Sequence, residues 1–72
     1  MNNVCYNNLF KLLIDKNLKR SDLAKMCGLS SPTMAKLSKN EYVSMDVLVR
    51  ICRCLNCSLN DIVEILPLKE NA

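Results

Sequence analysis

The chain has 72 residues, half of them hydrophobic, with three aromatic residues, two prolines and a single glycine. This length provides one small domain over residues 1–72 and leaves no room for a second, and the scarcity of turn-forming residues favours an all-α fold. The formal charge of +3 is divided unevenly, because seven basic and two acidic residues give +5 over residues 1–40, whereas three basic and five acidic residues give −2 over residues 41–72.

Leucines at three- and four-residue steps predict an amphipathic first helix from Cys5 to Lys16. Asn17 follows it and can adopt the left-handed conformation that ends a helix. Phe10 and Ile14 lie on the flank of the leucine stripe, so this helix has more apolar surface than one packing face requires.

A second helix is predicted from about Arg20 to Cys27, and a third from Ser31 to near Asn40. Gly28 is the only glycine and stands between them, where the tight turn of a helix-turn-helix needs a residue with positive φ. Ser30 offers a hydroxyl to the free amides of the third helix, and Pro32 occupies a first-turn position where its missing N–H costs nothing. The apolar side chains expected behind the motif are Leu23, Met34 and Leu37.

Ser44 is predicted to cap a fourth helix that runs to about Leu55. The run Ser58-Leu59-Asn60-Asp61 has the form of a capping box and predicts a short fifth helix, with core side chains expected at Leu59, Ile62 and Leu66. Pro67 closes the fold, so the ordered core is expected over about 5–67 and a frayed tail over 69–72.

Three groups of residues match a known family: the run LAKMCGLS at 23–30, the pair Met34 and Leu37, and the trailing runs at 47–55 and 58–62. With these residues, the stretch from Tyr6 to about Pro67 resembles the lambda-repressor/Cro-like (XRE-type) family of helix-turn-helix transcriptional regulators. The resemblance implies a compact five-helix DNA-binding domain with the helix-turn-helix at helices 2 and 3. The chain departs from the family pattern at Lys19, where a serine or threonine cap is usual, and at Asn40, where a glycine is usual. Asn40 is expected to adopt the positive φ that this glycine provides at the end of the third helix.

The resemblance implies that the third helix lies in the major groove of double-stranded DNA. Side chains near its start would then face base edges, and they are Ser31, Pro32, Thr33, Ala35 and Lys36. Lys36 is the strongest candidate, because a lysine there can donate to guanine O6 and N7. The residues expected to hold phosphates on either side of this helix are Lys19, Arg20, Ser30, Lys39, Asn40 and Tyr42.

One domain of this size buries too little surface for tight selective binding, so a homodimer on a palindromic operator is expected. The candidates for the dimer interface are apolar residues that the monomer core does not need: Val63, Ile65, Leu66, Leu68, Phe10 and Ile14. Repression by operator occupancy is the simplest mechanism, and activation stays open. The alternative function is a protein-interaction module on the same fold, such as an antitoxin-like partner binder, but the positive set of Arg20, Lys36 and Lys39 favours DNA.

The spacing Cys52-x-Cys54-x-x-Cys57 is compatible with a zinc or iron–sulfur site. Two observations argue against one: Cys52 falls on the buried stripe of the fourth helix and points away from Cys54, and the chain has no histidine. We therefore expect neither a metal nor another cofactor, and no small-molecule ligand. Without a histidine base or a cleft, enzymatic activity is not expected either.

The N-terminal residues Met1–Val4 lack the positively charged start and following apolar run of a secretory signal. Charged residues such as Lys11, Arg50 and Arg53 interrupt the longest apolar stretches, so no segment is predicted to cross a membrane. Five cysteines, an odd number, suit reduced thiols better than a disulfide framework. These features predict a cytoplasmic protein.

Overall fold

Four α-helices make up most of residues 3–67, which are the residues that the computed structural model describes. In chain order the elements are β1 (Val4–Cys5), α1 (Asn7–Asp15), α2 (Arg20–Cys27), α3 (Ser31–Ser38), α4 (Met45–Leu55), a 3-10 helix (Leu59–Asp61) and β2 (Glu64–Ile65). The helix-turn-helix lies at α2 and α3, as predicted. None of the described helices is long and apolar enough to span a bilayer.

The core receives side chains from every α-helix, from β1 and from the segment between the 3-10 helix and β2. Its fully buried members include Leu9 of α1, Leu23 of α2, Leu37 of α3 and Ile51 of α4. Ile62, which follows the 3-10 helix, is also fully buried. Because Leu23 and Leu37 lie on the inner sides of α2 and α3, their burial fixes which side of each helix faces solvent.

All four α-helices end in the same way. A residue with positive φ follows each helix, and the next backbone N–H donates to the carbonyl five residues earlier at 2.8–3.0 Å, which is the Schellman arrangement. The positive-φ residues are Asn17, Gly28, Asn40 and Asn56, with φ of 58°, 66°, 57° and 53°. The roles predicted for the first three are confirmed, and Asn56 was not anticipated.

Side chains also satisfy free amides at the starts of helices. Ser30 Oγ accepts from the Thr33 N–H at 3.3 Å, and Ser44 Oγ accepts from the Val47 N–H at 3.3 Å, as the sequence predicts. At the start of α2 the bond runs in the other direction, because the Lys19 N–H donates to Asp22 Oδ2 at 2.9 Å. The carboxylate of Asp22 therefore stabilises this helix end although Lys19 offers no hydroxyl.

A two-stranded antiparallel sheet was not predicted. Val4 pairs with Ile65 and Cys5 pairs with Glu64, so these residues are extended. The prediction that the first helix begins at Cys5 was therefore wrong; α1 begins at Asn7. The fold is mostly helical, with this small sheet joining the two ends of the described chain.

The prediction of a fifth α-helix was also wrong. The Ser58 N–H donates to Asp61 Oδ2 at 2.9 Å, as in the expected capping box, but only a 3-10 turn follows. The chain then becomes extended to pair with β1, and a longer helix would remove β2 from that pairing. Ile62 is buried as predicted, whereas Leu59 and Leu66 are exposed. Leu68 and the tail expected at 69–72 lie outside the described residues.

The left-handed turn after α2 generates a stability prediction. No atom lies within 4 Å of a Cβ built on Gly28, so only its φ of 66° opposes a side chain there. We expect Gly28→Ala to lower the free energy of unfolding by about 1–2 kcal/mol, the cost of the left-handed conformation for a residue with a Cβ. Urea unfolding followed by circular dichroism measures it.

The matched control is Gly28→Asn, because asparagine adopts the same conformation after the other three helices. It should lose less stability than the alanine variant. Alanine and asparagine variants with equal losses would contradict this explanation of the glycine.

Candidate nucleic-acid interface

The outer face of α3 carries the side chains that the sequence predicted to read bases. Ser31, Pro32, Ala35 and Lys36 are exposed, and Thr33 is half-buried. The opposite side of the helix is closed by the buried Leu37 and the half-buried Met34. All five predicted residues therefore remain on or at the edge of one surface, although they differ in how freely they can contact a ligand.

Thr33 is the least free of these residues. Its hydroxyl lies 3.0 Å from the Ser30 hydroxyl, which also accepts the Thr33 backbone N–H at 3.3 Å. The two hydroxyls thus share a hydrogen bond within the cap of α3. Ser31 and Lys36, in contrast, make no side-chain hydrogen bond within residues 3–67, so their polar atoms are available to a partner.

Arg20 connects three helices at the edge of this surface. Its guanidinium carbon lies 4.0 Å from the centroid of the Phe10 ring in α1, and its Nη1 donates to Ser38 Oγ in α3 at 2.8 Å. A guanidinium has five N–H donors in a fixed plane, so donors remain after the bond to Ser38. Arg20 is thus held in place at the end of α3 while still able to bind an anion.

A cleft of about 400 Å³ lies between α2 and α3. Its apolar floor is formed by Ala24, Leu29 and Met34, and its polar rim by Arg20, Ser21, Lys25 and Ser31. Ser21 and Lys25 were not predicted as part of this surface. The available signal was their spacing, because residues four apart on a helix share a face and Ser21 adjoins Arg20.

The loop after α3 is held by the N-terminal segment. The Tyr6 backbone N–H donates to Asn40 Oδ1 at 3.0 Å, and the Tyr6 hydroxyl donates to the Glu41 carbonyl at 2.8 Å. The Asn3 backbone N–H donates to Tyr42 Oη at 3.3 Å. Of the predicted phosphate-binding residues near this loop, Lys39 and Tyr42 are exposed and Asn40 is half-buried.

The residues predicted to form the dimer interface lie in two separate surface regions. Val63 and Ile65 line one shallow depression, and Ile65 is 72% exposed. Phe10 and Ile14 line another, which shares no residue with the first. Ile14 is exposed, whereas Phe10 packs against the core and its ring lies under the Arg20 guanidinium.

The five cysteines are free thiols in two environments. Cys5 and Cys27 are buried, as expected of small core residues, and the Cys54 thiol donates to the Met26 carbonyl at 3.4 Å. Burial, together with the neighbouring Cys54 thiol, raises the pKa of Cys27 to about 12. Burial and the neighbouring Cys52 also raise the pKa of Cys57.

The three cysteines at 52–57 therefore have different partners. Cys54 contacts α2, whereas Cys52 and Cys57 contact each other. Within residues 3–67, no group of three or more potential metal ligands comes together. The raised pKa values of Cys27 and Cys57 keep these thiols protonated at neutral pH, and a protonated thiol is a poor metal ligand and nucleophile.

Two packed helices joined by a left-handed turn, with a polar outer face on the second, define the helix-turn-helix class of DNA-binding domains. A family model described as the Cro/C1-type HTH DNA-binding domain matches residues 8–67, and the chain belongs to this family. The family predicted from the sequence is confirmed.

Among solved structures, the chain is similar to the crystal structure of the transcriptional regulator VanUg, Form II. The two are 52% identical, the match covers 92% of this chain and 88% of that chain, and the TM-score is 0.88. No curated protein matches the chain.

The raised pKa of Cys27 predicts a dependence of stability on pH. Between the ordinary thiol pKa of 9.0 and about 12, the unfolded chain loses the Cys27 proton and the folded chain keeps it. Ionisation then favours the unfolded state, so the free energy of unfolding should fall as pH rises through this window. Below the window the contribution of the protonated Cys27 thiol to stability is fully present. Urea unfolding at pH 8 and pH 10 measures the change.

Cys27→Ala is the comparison variant, because it removes this thiol and leaves every other titratable group in place. The alanine variant should be less stable at pH 8 and show a smaller decrease at pH 10 than the unsubstituted chain. An equal decrease in both would show that Cys27 does not contribute.

Proposed function

We propose that this chain is a transcriptional regulator that binds double-stranded DNA with sequence specificity and represses by occupying its operator. The observation that carries the proposal is the exposed polar face of α3, which has the exposed basic residues Arg20 and Lys39 beside the end of the helix. The likeness to VanUg, a transcriptional regulator, supports the same function.

Base readout is assigned to the first turns of α3. Lys36 is exposed and free to donate to guanine O6 and N7, and Ser31 can donate or accept. Ala35 suits contact with a thymine methyl group, and Pro32 adds surface without a donor. Thr33 contributes least, because its hydroxyl is already bonded to Ser30.

Phosphate binding is assigned to the surroundings of α3, where it fixes the register of the helix without reading sequence. The charged contacts are Lys19, Arg20 and Lys39, and the neutral ones are Ser30, Asn40 and Tyr42. The rim of the cleft between α2 and α3 adds Ser21 and Lys25. Its apolar floor suits the sugar beside a phosphate.

A dimer would place two copies of α3 in successive turns of a palindromic site. The exposed Ile65 in β2 and Leu66 directly after it, with Val63 directly before the strand, support an interface there. Leu68, outside the described residues, belongs to the same proposed interface. A dimer bound across a promoter excludes polymerase, which is repression by occupancy.

The α3 assignment is tested with DNA fragments selected from a random pool by the unsubstituted protein. Lys36→Ala should weaken binding to the selected site by about 1–3 kcal/mol and relax preference at one base step, because it removes a base contact. Lys39→Ala should weaken selected and random duplexes alike and lower the logarithmic salt slope by about 0.9, because it removes a phosphate contact.

The two lysines are matched controls for each other, since both substitutions remove one positive charge from neighbouring turns of the chain. Equal losses on selected and random DNA for both variants would contradict the division into base and phosphate contacts. Failure of the unsubstituted protein to enrich any duplex would overturn the proposed function.

The dimer is tested by sedimentation at high micromolar concentration, with and without DNA. Ile65→Thr keeps a β-branched residue in β2 but removes apolar surface, so it should shift the protein toward monomer and weaken binding to paired half-sites. Val49→Thr changes an exposed apolar residue on α4 and should sediment as the unsubstituted protein does. An unsubstituted protein that remains monomeric free and on DNA would falsify the dimer.

A further inference from the structure

The loop after α3, residues 40–42, lies in neither a helix nor a strand. Two of its backbone N–H groups donate to carbonyls of α3, Asn40 to Leu37 at 3.3 Å and Glu41 to Lys36 at 2.9 Å. Three further hydrogen bonds hold the loop, and all of them come from the segment at residues 3–6. These bonds join positions 34–39 residues apart, so they fix the loop against a different part of the fold.

The backbone conformation at Asn40 does not explain why this residue has a side chain. Its φ of 57° is one that glycine adopts without strain. The Asn40 side chain instead accepts the Tyr6 N–H through Oδ1. Because Oδ1 is occupied, the amide group is oriented, and its two N–H donors remain for another acceptor.

Tyr42 is oriented in a similar manner. Its oxygen accepts the Asn3 N–H at 3.3 Å, so the hydroxyl hydrogen itself is left to donate. The side chain is 55% exposed, beside the end of α3. Tyr42 and Asn40 therefore both present hydrogen-bond donors, while the side-chain oxygen of each already accepts a bond within the protein.

Tyr6 links this loop to the core. Its side chain is buried, and its hydroxyl donates to the Glu41 carbonyl at 2.8 Å, between the two donor residues. Burial raises the pKa of Tyr6, so the hydroxyl keeps the proton that it donates. One buried residue thus supplies two of the three bonds that join the loop to residues 3–6.

We infer that Tyr6 is a positioning residue for DNA binding, which holds residues 40–42 so that Asn40 and Tyr42 donate to backbone phosphates. The inference rests on the proposed function. It assigns Tyr6 an effect on affinity although the residue is buried and does not touch DNA. The donors that it positions are neutral. Losing them should therefore leave the number of counterions released on DNA binding unchanged.

Tyr6→Phe tests the inference, because it removes the hydroxyl and keeps the ring. We expect binding to selected and random duplexes to weaken by about threefold to tenfold, the range for one or two lost hydrogen bonds, with an unchanged salt slope. Urea unfolding at the same temperature establishes that the variant is folded during the binding measurement.

A double-mutant cycle separates positioning from a general structural role. In an Asn40→Gly/Tyr42→Phe background the loop side chains have no donors left to position. Adding Tyr6→Phe to that background should therefore change affinity by less than about twofold. A loss as large as in the otherwise unsubstituted protein would overturn the inference, because Tyr6 would then act by another route.

A second variant keeps the test decisive if Tyr6→Phe does not fold. Asn3→Pro removes the N–H that Tyr42 accepts but leaves the Asn3 carbonyl, which accepts the Leu66 N–H at 2.8 Å. It should bind DNA about threefold more weakly than Asn3→Ala, which keeps the N–H. Equal binding of the proline and alanine variants would overturn the positioning of Tyr42.

These outcomes are distinct from failure of the proposed function. An unsubstituted protein that binds no duplex removes the proposed function itself. An unsubstituted protein that binds a selected duplex, together with a folded Tyr6→Phe variant of equal affinity, removes only the inference about Tyr6.

Discussion

The burial of one side of α3 is the constraint on which the DNA-facing surface depends. Leu37 is fully buried and Met34 is half-buried, so the helical period exposes the side that carries Ser31 and Lys36. The left-handed residue Gly28 allows α3 to leave α2 at the angle that makes this burial possible. Local backbone conformation and core packing therefore determine together which side chains can meet a partner.

The helical part of this fold could be predicted because its signals are local. Capping serines, positive-φ residues and apolar spacing all lie within a few residues of the element they define, and α2 begins and ends where the sequence indicated. The β1–β2 pairing could not be predicted in the same way. Each strand has two residues, too few for an alternating pattern, and the partners Val4 and Ile65 lie at opposite ends of the described chain.

The candidate site shows the same division. Helical periodicity was enough to predict which residues of α3 are exposed, and their individual DNA contacts remain predictions. The stacking of Arg20 on Phe10 and the bonds from Tyr6 depend on how distant segments pack. A sequence pattern identifies the charged or polar group, but the geometry that orients it comes from the tertiary structure.

The small sheet brings the two ends of the described chain together, with the Leu66 N–H 2.8 Å from the Asn3 carbonyl. Such a unit can be inserted into a surface loop of a host protein, because the chain enters and leaves at one point. Residues 3 and 66, which this pairing brings together, could also be joined through a short linker into a cyclic polypeptide. Cyclisation would reduce the conformational entropy of the unfolded state while leaving the helical scaffold unchanged.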